Sequence, residues 1–109
     1  MCTLVIIRNL FPDWPLVLAA NRDEFFARPT APPARLAGTY PVFAGQDLEA
    51  GGTWLGVRKD GLLAALTNQP SKDTSPAARS RGNLVTGCLA QETVEAGADW
   101  LSSEPMDAY

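Results

Sequence analysis

The residue best suited to chemistry in this sequence is Cys2, which directly follows the initiator methionine. Removal of Met1 would leave a thiol and a free α-amine on one residue at the start of an apolar segment. A thiol with a pKa of about 8.5 is mostly protonated at neutral pH, and an α-amine with a pKa of about 7.7–8.0 can accept its proton. One residue would then supply both nucleophile and base. The alternative is a small core thiol, since free cysteine is among the most buried residue types.

Four polar residues stand directly after the second apolar segment of the chain: Asn21, Arg22, Asp23 and Glu24. If the first two segments form a tight antiparallel pair, the end of the second returns beside the start of the first. Arg22 or Asp23 would then lie near Cys2. The alternative is local: Asn21 caps a helical turn that begins at Asp23 and runs to residue 28.

A fifth polar candidate, Asn68, closes a later apolar segment. Its side-chain amide can donate a hydrogen bond to a developing oxyanion, a role that asparagine has in acyl-transfer sites. A turn role is the alternative, because asparagine beside a proline-containing segment favours turns. Trp54 is expected in the core or in a pocket wall.

The composition excludes several other kinds of site. The 109 residues contain no histidine, so a Ser-His or Cys-His mechanism is ruled out, and the general base must be a carboxylate, a lysine or the terminal amine. Because the two cysteines have no CxxC spacing and histidine is absent, we expect no metal site. We also expect no cofactor. A net charge of −3 without a basic block argues against a nucleic-acid partner.

Length and hydropathy are typical of one soluble globular domain, with 46% hydrophobic and 19% charged residues. The apolar run Leu4–Ile7 is too short for a signal-peptide core or a membrane span. The expected compartment is therefore the cytoplasm, where thiols stay reduced.

The elements that must position these residues are strands followed by helices, an α+β order. Asp60-Gly61 between two apolar runs is a strong hairpin signal, and four prolines in residues 29–41 predict a loop. Spacing of Leu84, Val85, Cys88 and Leu89 predicts a helix with Cys88 on its apolar face. The predicted elements are buried strands at 3–8 and 16–20 around a turn at 12–15, a short strand at 42–45, a hairpin of 53–58 and 62–68 after a tight turn at Gly51-Gly52, a loop at 71–78, and helices at 80–90 and 92–101.

Four segments in this order resemble the NRDE family, to which the Transport and Golgi organisation 2 proteins belong: Met1-Cys2-Thr3-Leu4, Asn21-Arg22-Asp23-Glu24, Gly51-Gly52-Thr53-Trp54-Leu55-Gly56, and Gly61 leading to Leu66-Thr67-Asn68. The resemblance implies an N-terminal-nucleophile hydrolase-like fold, a four-layer αββα sandwich. The residue order is also similar to that of cholylglycine hydrolase and penicillin V acylase. Since family members are usually more than twice as long, residues 1–109 are expected to form a single NRDE-like domain that is incomplete at its C-terminus.

By that resemblance, Cys2 is the nucleophile, Asp23 orients its amine, Arg22 lies nearby and Asn68 contributes to the oxyanion hole. The expected binding residues around them are Asn21, Glu24, Trp54 and Thr67. Two functions stay open: a hydrolase of a non-peptide C–N (amide) bond, or a non-catalytic binding or trafficking protein that handles acyl-CoA, lipid or haem. The expected partner is a small-molecule amide, acyl or lipid-like ligand, with homo-oligomers if sheet edges are open.

Overall fold

A computed structural model describes residues 2–68, 79–106 and 109. Antiparallel strands precede two helices, which confirms the predicted α+β class. The predicted loop at 71–78 lies outside the described residues. The elements are β1 (Thr3–Phe11), β2 (Trp14–Asn21), β3 (Thr30–Leu36), β4 (Val42–Asp47), β5 (Leu55–Arg58), β6 (Leu63–Ala65), α1 (Gly82–Leu89) and α2 (Val94–Ser103).

The first sheet is the two-stranded hairpin β1–β2, which turns at Pro12-Asp13 as the sequence predicts. The prediction that both strands are buried is wrong. Val5 is 45% and Ile6 is 59% exposed, because no other element of the described chain packs along the hairpin. β-Branched residues select a strand, but burial requires a second layer to cover it.

The second sheet has the strand order β3-β4-β5-β6. The predicted hairpin is its β5–β6 edge, where Gly61 adopts φ +93° and the Arg58 N–H donates to the Leu62 carbonyl at 2.8 Å. A glycine in the left-handed region at the end of a three-residue loop is the favoured way to close such a hairpin. The tight turn before β5 is confirmed as well, since Gly51 and Gly52 both have positive φ.

The proline-rich segment contains strand β3, so the prediction of a loop over residues 29–41 is wrong. β3 is an edge strand, and its pairing with β4 shifts register between Ala31 and Ala34, where Pro32 and Pro33 lie. Proline has no N–H for a central ladder, but an edge strand with a bulge accommodates it.

The segment after β2 forms only a single turn, in which the Arg28 N–H donates to the Phe25 carbonyl at 2.9 Å. The alternative of a helical turn that begins at Asp23 is therefore not observed, since the turn begins at Phe25. Pro29 follows directly and disfavours helical geometry at Arg28, so the chain proceeds into β3 instead.

Helix α1 packs on the second sheet and supplies most of the core. Val85 and Leu89 are 3% and 1% exposed, and a Cβ at Gly56 of β5 would come within 2.7 Å of the Leu89 side chain. The Arg58 guanidinium, which lies 3.9 Å from the Tyr40 ring, donates to the Leu89 carbonyl at the end of α1. These contacts fix α1 against β5.

Helix α2 begins with a capping bond from the Ala96 N–H to the Thr93 hydroxyl, 3.1 Å long. It lies against α1, where a Cβ at Gly87 would overlap the Trp100 ring. Cys88 of α1 lies at this contact, with its sulfur 3.8 Å from the Gly97 carbonyl oxygen. Neither described helix has the length and apolar character to cross a membrane.

Candidate functional site

Cys2 lies where the two ends of the first hairpin meet. Thr3 pairs with Asn21 in the β1–β2 register, and the Thr3 N–H donates to the Asn21 side-chain oxygen at 2.8 Å. The predicted return of β2 beside the start of β1 is therefore confirmed. Cys2 itself is half-buried, with a free thiol. Asn21 fixes the backbone next to that thiol.

A small cavity of about 20 Å³ adjoins Cys2. A space of this size holds about one water molecule or a group as small as a carbonyl oxygen. Its wall combines the ends of both sheets: Cys2, Thr3, Leu4, Ala20, Asn21, Arg22, Trp54, Leu55, Ala65, Leu66, Thr67 and Asn68.

Six of the eight residues singled out from the sequence thus share one cavity. The other two do not line it: Asp23 is exposed, and Glu24 lines a neighbouring pocket. The role of Asp23 in orienting the amine stays a prediction.

The neighbouring pocket is larger, about 370 Å³. Four residues line both spaces: Arg22, Trp54, Leu66 and Asn68. A ligand that reaches Cys2 therefore has room to extend past these side chains. The other described residues in its wall are Glu24, Arg28, Asp47, Ala50, Gly51, Thr53, Arg79, Ser80, Arg81, Gly82 and Tyr109.

Arg22 stands at the boundary between the two spaces and is held from two sides. Its guanidinium lies 4.7 Å from the centre of the Trp54 ring and 2.9 Å from the Asp47 carboxylate. Trp54 in turn lies close against Gly45, where a Cβ would come within 2.7 Å of the indole. Gly45 is therefore required for this stack, and the stack sets the position of Arg22.

Asp47, at the end of β4, is the main site residue that sequence reasoning missed. One carboxylate oxygen accepts the N–H groups of Glu49 and Ala50 at 3.0 and 3.1 Å. The other accepts from Arg22 and Arg28, both at 2.9 Å. Burial alone would raise the pKa of this carboxyl, but the backbone donors and Arg28 outweigh it and hold the pKa below its ordinary value.

The sequence contains a local signal for the turn that Asp47 closes, but none for its contacts with the two arginines. Asp47 precedes Gly51-Gly52, and aspartate commonly accepts hydrogen bonds from N–H groups two or three residues later in such turns. Its two arginine partners lie 25 and 19 residues earlier in the chain. No short spacing links those side chains in the sequence.

Glu24 completes the charged cluster at this boundary. Its carboxylate lies 3.6 Å from Arg22 and 3.9 Å from Arg28, and it also accepts the Phe25 N–H at 3.0 Å. Glu24 therefore contributes to positioning Arg22, in addition to lining the larger pocket.

Asn68 has an unsatisfied polar atom. Its Oδ1 is buried and has no hydrogen-bond partner among the described residues, and the residue lines both spaces. A buried polar atom without a partner costs about 1–3 kcal/mol. A water molecule or a ligand that supplied the partner would recover this energy.

The second cysteine is chemically distinct from Cys2. Burial raises the pKa of the Cys88 thiol, which disfavours the thiolate form that acts as a nucleophile. Cys88 lines neither space described above. Among the described residues no group of three or more cysteine, aspartate and glutamate side chains is arranged to hold a metal ion.

Comparison with known proteins identifies relatives of this chain. Over 80 residues it is 44% identical to the Transport and Golgi organization 2 homolog of Mus musculus and to that of Homo sapiens; each match covers 71% of this chain and 29% of the relative. The Drosophila melanogaster Transport and Golgi organization protein 2 is 42% identical over 82 residues, which is 64% of this chain and 29% of the relative. The chain thus spans less than a third of these relatives' length. The family model for Transport and Golgi organisation 2 matches residues 1–106, and the chain belongs to this family.

Proposed function

We propose that this chain carries the nucleophile of a cysteine N-terminal-nucleophile hydrolase, with an αββα type of fold, that cleaves a non-peptide C–N bond. The observation that carries the proposal is the shared cavity of Cys2, Arg22 and Asn68. It joins a free thiol, a guanidinium held in place by Asp47 and Trp54, and an amide with an unsatisfied oxygen, in a space the size of one carbonyl group.

The reaction begins when the Cys2 α-amine, freed by removal of Met1, takes the thiol proton. The sulfur attacks the amide carbonyl, and the carbonyl π electrons move to oxygen. When the tetrahedral intermediate collapses, the C–N bond breaks and the ammonium returns its proton to the leaving amine. Water then attacks the thioester, which releases the carboxylic acid and restores the thiol.

Asn68 and Arg22 would stabilise the negative charge that develops on oxygen. Rotation of the Asn68 amide about its Cβ–Cγ bond exchanges the unsatisfied oxygen for an N–H donor at the same place. Arg22 supports that charge without moving, because Asp47 and Trp54 already hold it. Preorganised donors of this kind are commonly the largest single contribution to catalysis.

The experiment is to assay a panel of N-acyl amides with the wild-type chain, Cys2→Ala and the matched control Cys88→Ala, after intact-mass analysis shows loss of Met1. We expect Cys2→Ala to lower turnover by about a thousandfold or more and Cys88→Ala to stay near wild type. Alkylation by iodoacetamide should label Cys2 first and abolish turnover in step with labelling.

A second variant separates the amine from the thiol. Insertion of an alanine between Met1 and Cys2 keeps the thiol but moves the free amine one residue away, so turnover should fall as far as in Cys2→Ala. If Cys2→Ala or the insertion variant keeps wild-type turnover, or if Met1 is retained in an active protein, the amine-activated mechanism is wrong. The pocket would then serve a binding role.

A further inference from the structure

The pocket beyond Cys2 has an unusual charge for this protein. Four arginines line it, Arg22, Arg28, Arg79 and Arg81, against two carboxylates, Glu24 and Asp47. The described lining side chains therefore carry a formal charge of +2 (four minus two), whereas the whole chain has a net charge of −3. Within a concave wall, such an excess raises the local concentration of anions.

The inner part of the pocket is already neutralised. Arg22 and Arg28 share Asp47 at 2.9 Å each, and Glu24 lies within 4 Å of both. Arg28 also lies 3.8 Å from the exposed Glu49. The charges of these two arginines are balanced by Asp47 and Glu24, so they do not account for the excess positive charge.

The outer part of the pocket has two arginines, Arg79 and Arg81, that have fewer carboxylate contacts among the described residues than the inner pair. In the described chain no carboxylate lies within 4 Å of the exposed Arg81, just before α1, which is the strongest candidate for an anion contact. Arg79 lies beside it, 4.8 Å from the Tyr109 ring, and its one carboxylate neighbour among the described residues is Glu104 at 3.4 Å. Arg79 is half exposed, and such surface pairs are weak enough to exchange for a ligand. The Ser80 hydroxyl, which accepts from the Gly82 N–H, keeps its own proton available to donate.

We infer that the substrate of this site carries an anionic group, a carboxylate or a phosphate, which Arg81 binds with the help of Arg79 and Ser80 while the amide lies at Cys2. The inference rests on the proposed hydrolase function and adds the substrate class to it. Arginine suits this role because its planar fork pairs with two oxygens of a carboxylate or phosphate.

Four probes test whether the ligand must be anionic, which anionic group it carries, and on which side of the amide that group lies. They are N-butanoylglycine, with a carboxylate on the amine side; succinic acid mono-methylamide, with one on the acyl side; N-butanoyl-phosphoethanolamine, with a phosphate; and the neutral N-butanoylethanolamine. Binding of each to the Cys2→Ala protein is measured by calorimetry, and turnover of each by the wild-type chain. At least one anionic probe should bind about five- to tenfold more tightly than the neutral one, and the preference should shrink as salt is raised from 0.05 to 0.5 M.

In the Cys2→Ala background, Arg81→Gln should reduce that preference to less than about twofold. The matched control is Arg35→Gln, which removes an exposed arginine on β3 that lines neither space. Thermal unfolding of each variant checks that the fold is kept. An Arg81→Lys variant should restore part of the preference, since it restores the charge without the fork.

The two proposals fail in different ways. If the neutral probe binds as well as every anionic probe, or if Arg81→Gln keeps the preference, the anion inference is overturned even when amides are hydrolysed. If no probe is hydrolysed but anionic probes bind through Arg81, the anion site stands and the hydrolase does not.

Discussion

Asp47 is the residue whose replacement tests the architecture of the site most directly. Its carboxylate, 11% exposed, accepts two backbone N–H groups and two arginines. Asp47→Ala would leave both guanidinium groups without this acceptor. Removal of one partner from a buried charge pair costs about 3–5 kcal/mol. Glu24 still lies within 4 Å of both arginines. We therefore expect the free energy of unfolding to fall by about 3 kcal/mol, the lower end of this range.

Asp47→Asn divides this loss into two parts. Its side-chain oxygen still accepts from the Glu49 and Ala50 N–H groups, so the turn is kept, while the charge that holds Arg22 and Arg28 is lost. A hydrogen bond to a charged group contributes about 1.5–3 kcal/mol, so we expect about 2 kcal/mol for asparagine. Urea unfolding followed by circular dichroism measures both variants. If alanine and asparagine lower the free energy of unfolding equally, or if both lower it by less than about 1 kcal/mol, Asp47 does not hold the two arginines through its charge.

Two further predictions concern acid and a glycine turn. Because the folded pKa of the Asp47 carboxyl is depressed, its stabilising contribution is fully present above about pH 4, the ordinary value, and is lost as the pH falls through the lower folded value. The unfolding free energy of the wild type should therefore drop more steeply below pH 4 than that of Asp47→Asn. If the unfolding free energies of the two proteins fall with the same slope below pH 4, this prediction is wrong. Gly52→Ala should cost about 2 kcal/mol or more, because φ is +74° and a Cβ would lie 2.6 Å from the Gly82 backbone. Gly51→Ala, with φ +71° and no atom within 4 Å, should cost only about 1 kcal/mol; equal unfolding free energies for the two variants would contradict the close approach.

What could be predicted from the sequence was governed by short-range signals. The Asp60-Gly61 hairpin, the glycine turn before Trp54 and the spacing of both helices depend on residues a few positions apart, and the structure confirms them. The position of Cys2 beside Arg22 also followed, because the length of the first hairpin fixes which ends meet.

What failed depended on neighbours that no local pattern specifies. Apolar character in β1 predicted burial, but Ile6 is exposed because no other described element covers it. Prolines predicted a loop at residues 29–41, but an edge position with a register shift tolerates Pro32 and Pro33. Burial of β1 and strand formation at β3 both depend on the neighbouring strands and layers of a sheet, which the sequence of a single segment does not specify.

The same distinction explains why Cys2 and Arg22 could be singled out from the sequence, whereas the aspartate that holds Arg22 could not. Cys2 is recognisable by its place in the chain, but Arg22 is held by Asp47 and by Trp54, which requires the bare surface of Gly45. These partners come from β4 and from the connection to β5, and Asp47 also closes the turn within that connection. Stability and site geometry are therefore coupled at Asp47. A change at Cys2 should leave unfolding almost unaffected, because Cys2 is half-buried at a strand end, whereas a change at Asp47 should weaken both the fold and any reaction that depends on Arg22.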